Sequence, residues 1–245
     1  MIKTELCAYS VDACRIAARL GVDRVELCAS PAEGGVTPSM ATIERVAKIE
    51  GIDVSVMIRP RGGDFLYSDD EFETMLRDIA YAREAGATGV VFGILTADGK
   101  VDVERTRQLV EASEGMETTF HRAVDMTEDY ESAVEAIIEA GCNRILTSGS
   151  YDKAIDGIAN IGRAVEIAKG RIEIMAGSGG VASNAQALKE GGVDALHFSA
   201  KTMVMGGMKY RNPRISMGGT TAVDEFALRT VDENEVKEIL KLIRR

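Results

Sequence analysis

Short apolar segments alternate with longer amphipathic segments along the whole chain. In four places a helix end and a glycine-containing turn precede an apolar run, at residues 18–27, 84–93, 139–147 and 190–198. Glycine suits such a turn because helices commonly end on a residue in the left-handed conformation. Four further apolar runs lie at residues 2–7, 52–58, 116–121 and 172–176. The pattern therefore predicts eight strands.

Between these runs, apolar residues recur three or four positions apart, which is typical of amphipathic helices. The predicted helices span residues 12–20, 39–49, 70–84, 103–112, 129–140, 158–169, 183–189 and 233–243. Ser39, Asp69 and Ser183 are the expected capping residues. Strand–helix alternation of this kind predicts a parallel sheet, and eight units in 245 residues favour a closed (β/α)8 TIM barrel.

We predict a single α/β domain over residues 1–245, without a linker. The longest connection, residues 199–232, follows the eighth strand and contains two glycine pairs. It is expected to form a flap or an extra segment near the mouth of the barrel.

Composition narrows the classes of partner. The net charge of −10 disfavours nucleic acid and anionic membranes as partners. No apolar stretch is long enough to span a bilayer, and the N-terminus does not read as a signal peptide. The four cysteines match no zinc-binding or Cys-x-x-Cys spacing. We therefore expect a cytoplasmic protein with reduced thiols.

Several polar residues are predicted to point into the barrel. Side chains alternate along a strand, and the outward face of a barrel strand is apolar because it packs under helices. This phase places the following residues inward, near the strand ends: Glu5, Cys7, Glu26, Cys28, Arg59, His121, His197 and Ser199. Active sites of this fold lie at the carboxyl ends of the strands, so the cluster is the candidate functional site.

Glutamate and histidine supply two kinds of chemistry in this cluster. Glu5, Glu26, His121 and His197 can act as general acids and bases, and we take them as candidate catalytic residues. Carboxylate and imidazole groups can equally hold a divalent cation. The sequence does not choose between these alternatives.

Two segments are candidates for binding an anion. Gly177, Ser178, Gly179 and Gly180 follow the seventh strand, where exposed backbone N–H groups and a helix N-terminus can hold a phosphate. Arg59 and Arg61 follow the third strand beside a glycine pair and can grip a carboxylate or phosphate. The alternatives are a glycine turn without a ligand, and arginines paired with Asp64 or a barrel glutamate.

Cys7 and Cys28 are predicted at equivalent ends of neighbouring strands. Two thiolates one strand spacing apart can hold a soft ion such as Cu(I), with the Met57 thioether nearby. The alternative is a pair of small buried apolar residues. Cys14 and Cys142 are expected to be packing residues.

The sequence resembles the CutC family, known as copper homeostasis proteins. The motifs that carry the resemblance span nearly the whole chain and lie at residues 26–28, 34–39, 57–68, 91–93, 119–125, 145–149 and 177–181. The most specific is Arg-Pro-Arg-Gly-Gly-Asp-Phe, beginning at Arg59. Ser178 departs from the family pattern, where we expect glycine.

The resemblance implies a (β/α)8 barrel, a cytoplasmic location, a homodimer or homotetramer, and Cu(I) binding by Cys7 and Cys28. Two functions follow. The first is Cu(I) binding in copper homeostasis. The second is an enzyme that uses glutamate and histidine, with a divalent cation or with no cofactor, on a small phosphorylated or carboxylated substrate.

Overall fold

Eight short parallel strands form the centre of the computed structural model, which describes residues 2–212, 214–215 and 224–244. Each is four to six residues long, and most of their residues are buried, as in a barrel covered by helices. They are β1 (Lys3–Ala8), β2 (Arg24–Leu27), β3 (Asp53–Met57), β4 (Gly89–Phe92), β5 (Glu117–Phe120), β6 (Arg144–Thr147), β7 (Glu173–Ala176) and β8 (Ala195–Phe198).

The strands close into a barrel in chain order. The closing pair is β1 with β8, where Lys3 lies opposite Ala195 and Leu6 opposite Phe198. The predicted (β/α)8 barrel is therefore confirmed. The predicted phase is also correct, because Val25, Leu27 and Val56 are completely buried in the apolar layer between the strands and the helices.

Eight α-helices connect or follow the strands in the described part of the chain. They are α1 (Val11–Leu20), α2 (Met40–Val46), α3 (Asp69–Glu84), α4 (Val103–Ala112), α5 (Tyr130–Ala140), α6 (Ile158–Ala168), α7 (Ala182–Glu190) and α8 (Glu233–Ile243). No helix in this described part is both long and apolar enough to cross a membrane.

Two of the three predicted helix caps are wrong. Ser39 does cap α2, but α3 is capped by Ser68, whose hydroxyl accepts from the Glu71 N–H while the Glu71 carboxylate accepts from the Ser68 N–H. Asp69 is instead the first residue of α3. Helix α7 begins after Val181, and Ser183 lies inside the helix rather than before it.

The lower part of the barrel interior is filled by ion pairs that the sequence analysis missed. Arg24 bonds to Glu5, and Arg144 lies 2.9 Å from Glu173 while donating to the Thr119 hydroxyl at 2.9 Å. Arg24, Glu5 and Arg144 are almost fully buried. Charges so deep in a protein need partners, so these arginines neutralise the inward-facing glutamates below the mouth.

The segment after β8 forms a two-stranded antiparallel sheet of β9 (Lys201–Met205) and β10 (Ala227–Val231). This sheet lies beside the carboxyl end of β1. The Arg229 guanidinium stacks over the ring of Tyr9, the residue after β1, 5.3 Å from the ring centroid. The predicted extra segment therefore flanks the mouth next to β1. Residues 213 and 216–223 of that prediction lie outside the described residues.

Candidate functional site

A cavity of about 360 Å³ opens at the carboxyl ends of the strands. Six of the eight residues of the predicted inward cluster line it: Cys7, Glu26, Arg59, His121, His197 and Ser199. The walls also include parts of the loops after β2, β3, β5 and β7. The barrel thus brings together side chains that are far apart in sequence, at the end where this fold places its active sites.

A sulfur cluster occupies one wall of the cavity. Cys28 and Met57 are buried and pack together, with Cys7 against them. The strand register places Cys7 opposite Glu26, so Cys28, which directly follows β2, lies two residues beyond the level of Cys7. The two cysteines are therefore staggered rather than level, which corrects the sequence interpretation. Gly35 permits the cluster, because a Cβ there would lie 3.1 Å from the Cys28 sulfur.

The two thiols are nevertheless close enough to interact. A hydrogen bond with Cys28 lowers the pKa of the Cys7 thiol, and the same bond together with burial raises the pKa of Cys28 well above its ordinary value. Cys7 is partly exposed whereas Cys28 is buried. By contrast, burial raises the pKa of Cys14 and of Cys142 to about 12, in keeping with the predicted packing roles.

Glu26 and His197 face each other next to the sulfur cluster. The His197 Nε2 atom is 3.4 Å from Glu26 Oε2, and its Nδ1 atom is 3.7 Å from Glu5 Oε1. Burial raises the pKa of Glu26 well above its ordinary value, and the neighbouring Cys7 raises it further. Glu5 lies one layer deeper, does not line the cavity and is paired with Arg24. Glu26 and His197 are therefore the better placed acid–base pair.

His121 follows the end of β5 and lines the same cavity as this pair. Its Nδ1 atom accepts a hydrogen bond from the Ala123 N–H, so Nε2 carries the proton of the neutral ring. Nε2 is buried and has no hydrogen-bond partner among the described residues. Burial and the Arg59 charge lower the pKa of His121 to about 3. His121 is thus a neutral donor rather than a cation.

The two candidate arginines differ in position. Arg59 lines the cavity, but its terminal nitrogens donate to the carbonyls of Glu33, Gly35 and Gly63, so it ties two loops together. Its Nε atom is buried without a partner in the described structure. Arg61 does not reach the cavity, because the Glu71 carboxylate holds it at 2.6 Å. The structure therefore leaves Arg61 out of the candidate anion site.

The glycine loop after β7 divides into two roles. Ser178 and Gly179 line the cavity, both with positive φ of 78° and 73°. Gly177 and Gly180 pack against β8 instead, since a Cβ at either position would press on His197 at about 3 Å. The N-terminus of α7 is already satisfied in part, because the Ala182 N–H donates to Glu235. Only Ser178 and Gly179 of the predicted loop remain as cavity-facing anion candidates.

Arg122 is a cavity residue to which the sequence analysis gave no role. It follows β5, and Asp125 holds it at 2.9 Å while its Nη2 donates to the Ser148 hydroxyl. Asp125 is itself fixed by the Thr147 hydroxyl and the Ser148 N–H. The sequence signal was the Arg-x-x-Asp spacing at the end of a barrel strand.

Comparison with known proteins agrees with this architecture. The model of the CutC family matches residues 2–202. A CutC family protein of Bacteroides thetaiotaomicron is 46% identical over 242 residues, covering 98% of this chain and 97% of the relative. A human protein named copper homeostasis protein cutC homolog is 44% identical over 236 residues, covering 96% of this chain and 86% of the relative.

A solved structure is similar as well. The crystal structure of the putative copper homeostasis protein CutC from Streptococcus agalactiae superimposes with a TM-score of 0.76 and 38% identity, covering 80% of this chain and 98% of that one. The family model and the relatives confirm the resemblance over nearly the whole chain, and this structure agrees with the closed barrel. The chain belongs to the CutC family of copper homeostasis proteins.

Proposed function

We propose that the protein binds Cu(I) at the mouth of the barrel through Cys7 and Cys28. The observation that carries the proposal is the sulfur cluster, in which two interacting thiols and the Met57 thioether meet at one wall of the cavity. Thiolate and thioether ligands select Cu(I) over harder ions. One thiol already has a lowered pKa, so the thiolate needed for coordination forms there most easily.

The surroundings of the cluster fit an ion that arrives and leaves. Cys7 is partly exposed and lines the cavity, so the site has an entrance, whereas Cys28 and Met57 are shielded from water. All four cysteines are free, as a reducing compartment such as the cytoplasm requires. The names of the relatives support a role in copper homeostasis for this binding.

The proposal is tested by anaerobic competition with a chromophoric Cu(I) chelator. We expect the wild-type protein to withdraw one Cu(I) per chain and the Cys7→Ser, Cys28→Ser double variant to withdraw none. The matched control is the Cys14→Ser, Cys142→Ser variant, which removes the same number of thiols from the apolar core outside the cavity and should bind like wild type. Unchanged Cu(I) affinity in the first variant would refute the proposal.

A second candidate function is catalysis on a small phosphorylated or carboxylated molecule. It is favoured by Arg122, Ser178 and Gly179, which line the cavity and can hold an anion. The His121 Nε2–H has no partner among the described residues and can donate to a substrate oxygen, while Glu26 with His197 can move a proton. A cluster of this composition exceeds what a soft-metal carrier needs.

Thermal shift assays separate this candidate from simple copper binding. Copper-free protein is screened against phosphate esters and small carboxylates, and a binder should raise the melting temperature. The Arg122→Gln variant should lose most of that increase, whereas Arg61→Gln, outside the cavity, should keep it. If no anion stabilises the wild-type protein, or if both variants respond alike, the cavity has no anion site of this kind.

A further inference from the structure

A second set of metal ligands overlaps the sulfur cluster. The Cys7 sulfur, a Glu26 carboxylate oxygen and a His197 ring nitrogen all lie within 4.8 Å of one another. Cys28 is not part of this set. We propose that these three side chains form a divalent-cation site, distinct from the Cu(I) site although it shares Cys7, with one open coordination position toward the cavity.

Glu26 and His197 are incompletely paired, and Glu26 Oε2 accepts only a long bond of 3.6 Å from the Cys28 thiol. Glu26 Oε1 and His197 Nδ1 are buried and have no hydrogen-bond partner among the described residues. The 3.4 Å between His197 Nε2 and Glu26 Oε2 is longer than a normal hydrogen bond. Buried polar atoms are nearly always paired, so the unpaired Glu26 Oε1 beside an imidazole with no close partner indicates room for an occupant.

A second layer of residues orients the histidine. Glu5 Oε1 lies 3.7 Å from His197 Nδ1, and Arg24 holds the Glu5 carboxylate from below. A histidine that binds a metal through one nitrogen usually donates its other N–H to a carboxylate, which fixes the ring. His197 is placed for this arrangement, with Nε2 on the side of Glu26 and Nδ1 on the side of Glu5.

The donor set fits Zn²⁺ better than Cu(I) or Mg²⁺. Zn²⁺ accepts sulfur, nitrogen and oxygen ligands together, and its catalytic sites have three protein ligands and one open position. A Cys7 thiolate and a Glu26 carboxylate would balance its two positive charges. Cu(I) favours the sulfur pair with Cys28, whereas Mg²⁺ disfavours thiolate.

Arg122 and Ser178 line the same cavity as the three proposed ligands. A water or a substrate oxygen bound to the ion would therefore share this cavity with the candidate anion groups. Because Cys7 belongs to both ligand sets, one chain cannot hold Cu(I) and Zn²⁺ in these sites together. The inference goes beyond Cu(I) binding and does not depend on it.

The test measures Zn²⁺ and Cu(I) affinity separately on reduced, metal-free protein, with Zn²⁺ titrated by chelator competition. We expect one Zn²⁺ per chain. Glu26→Gln and His197→Asn should each weaken Zn²⁺ by more than about 100-fold, beyond the effect of losing an outer partner. Both should keep Cu(I) affinity within about threefold. Cys28→Ser should weaken Cu(I) binding and leave Zn²⁺ affinity unchanged. Cys14→Ser should change the affinity for neither ion.

Co²⁺ bound in place of Zn²⁺ gives a spectroscopic readout. The absorption band reports which side chains coordinate the ion, so the test does not rest on affinities alone. Bound Co²⁺ should show a sulfur-to-metal charge-transfer band that Cys7→Ser abolishes and Cys28→Ser retains. The inference is overturned if the wild type binds no Zn²⁺, if Cys28→Ser removes Zn²⁺ binding, or if Glu26→Gln and His197→Asn both leave it unchanged. Loss of Cu(I) binding alone would refute only the copper proposal.

Discussion

Four buried polar atoms at the mouth lack hydrogen-bond partners within the described residues: Glu26 Oε1, Arg59 Nε, His121 Nε2 and His197 Nδ1. Each such group costs about 1–3 kcal/mol when it is left unpaired. Their residues all line one cavity. The unpaired atoms therefore lower the stability of the fold at this cavity, as is common where ligands bind.

His121 should make stability depend on pH. Its pKa of about 3 in the folded protein lies below the ordinary 6.5, so only the unfolded chain takes up this proton between those values. The free energy of unfolding should then fall as the pH decreases below 6.5, by up to about 1.4 kcal/mol per pH unit.

Urea unfolding from pH 7 to pH 4.5 measures this effect against His121→Asn, which keeps an acceptor for the Ala123 N–H. The stability difference between wild type and variant should shrink or reverse as the pH decreases. If the free energy of unfolding had the same pH dependence in wild type and variant, His121 would not be held neutral by burial.

Cys7 should be the most reactive thiol. Its pKa is lowered by Cys28 and it lines the cavity, whereas Cys14 and Cys142 are buried with a pKa of about 12. Iodoacetamide near neutral pH should alkylate Cys7 at least ten times faster than either, because the thiolate is the nucleophile. Peptide mass spectrometry over time measures the order. Faster modification of Cys14 or Cys142 would contradict the placement of the thiols.

At the scale of elements, strand ends and their loops build the site. The loop after β6 is tight: a Cβ at Gly157 would lie 2.0 Å from the Ser148 carbonyl oxygen. That loop also supplies the Ser148 hydroxyl that holds Arg122. The close backbone contact between Gly157 and Ser148 therefore helps to fix the Arg122 side chain in the cavity.

Two glycines at α6 should respond oppositely to alanine. Gly157→Ala should destabilise the protein by about 1–3 kcal/mol, because the backbone must move to admit the methyl group. Gly162→Ala is the matched control in the same helix, where nothing lies within 4 Å of the new Cβ. It should be neutral or stabilise by up to about 1 kcal/mol. Equal effects in chemical denaturation would contradict the loop geometry.

The sequence predicted the elements well because alternation and periodicity are local signals. Helix starts were less accurate, since Ser68 and Asp69 are both good caps and only the backbone decides between them. The inward phase was also predictable, yet the stagger of Cys7 against Cys28 was not. Strand register depends on how all eight strands close, and no single segment encodes it.

At the scale of the molecule, closure of the barrel converts eight separate strand ends into one cavity. The charged floor of Arg24, Glu5, Arg144 and Glu173 separates this cavity from the far end of the barrel. The sequence showed the inward glutamates but not their partners, because each pair depends on the register between two neighbouring strands, which no single segment encodes. Arg61 was misplaced for a similar reason, since its partner Glu71 lies on α3.

Arg144 should therefore be a sensitive position. Its side chain is 1% exposed and pairs with Glu173, so Arg144→Met should destabilise the protein by about 3–5 kcal/mol. Arg163→Met is the surface control, whose partners Glu131 and Glu166 are exposed, and its melting temperature should not change measurably. Calorimetry of both variants measures the melting temperatures and so tests the contribution of the buried ion pairs. Similar melting temperatures would show that the buried pairs contribute little.

The central claim is that sulfur atoms at the mouth hold Cu(I). X-ray absorption at the copper K-edge, on protein loaded anaerobically with one Cu(I) per chain, tests it most directly. We predict a first shell of two or three sulfur atoms in the wild type, and a loss of sulfur scattering in the Cys28→Ser variant. A shell of nitrogen and oxygen alone, or a spectrum unchanged by that substitution, would contradict it.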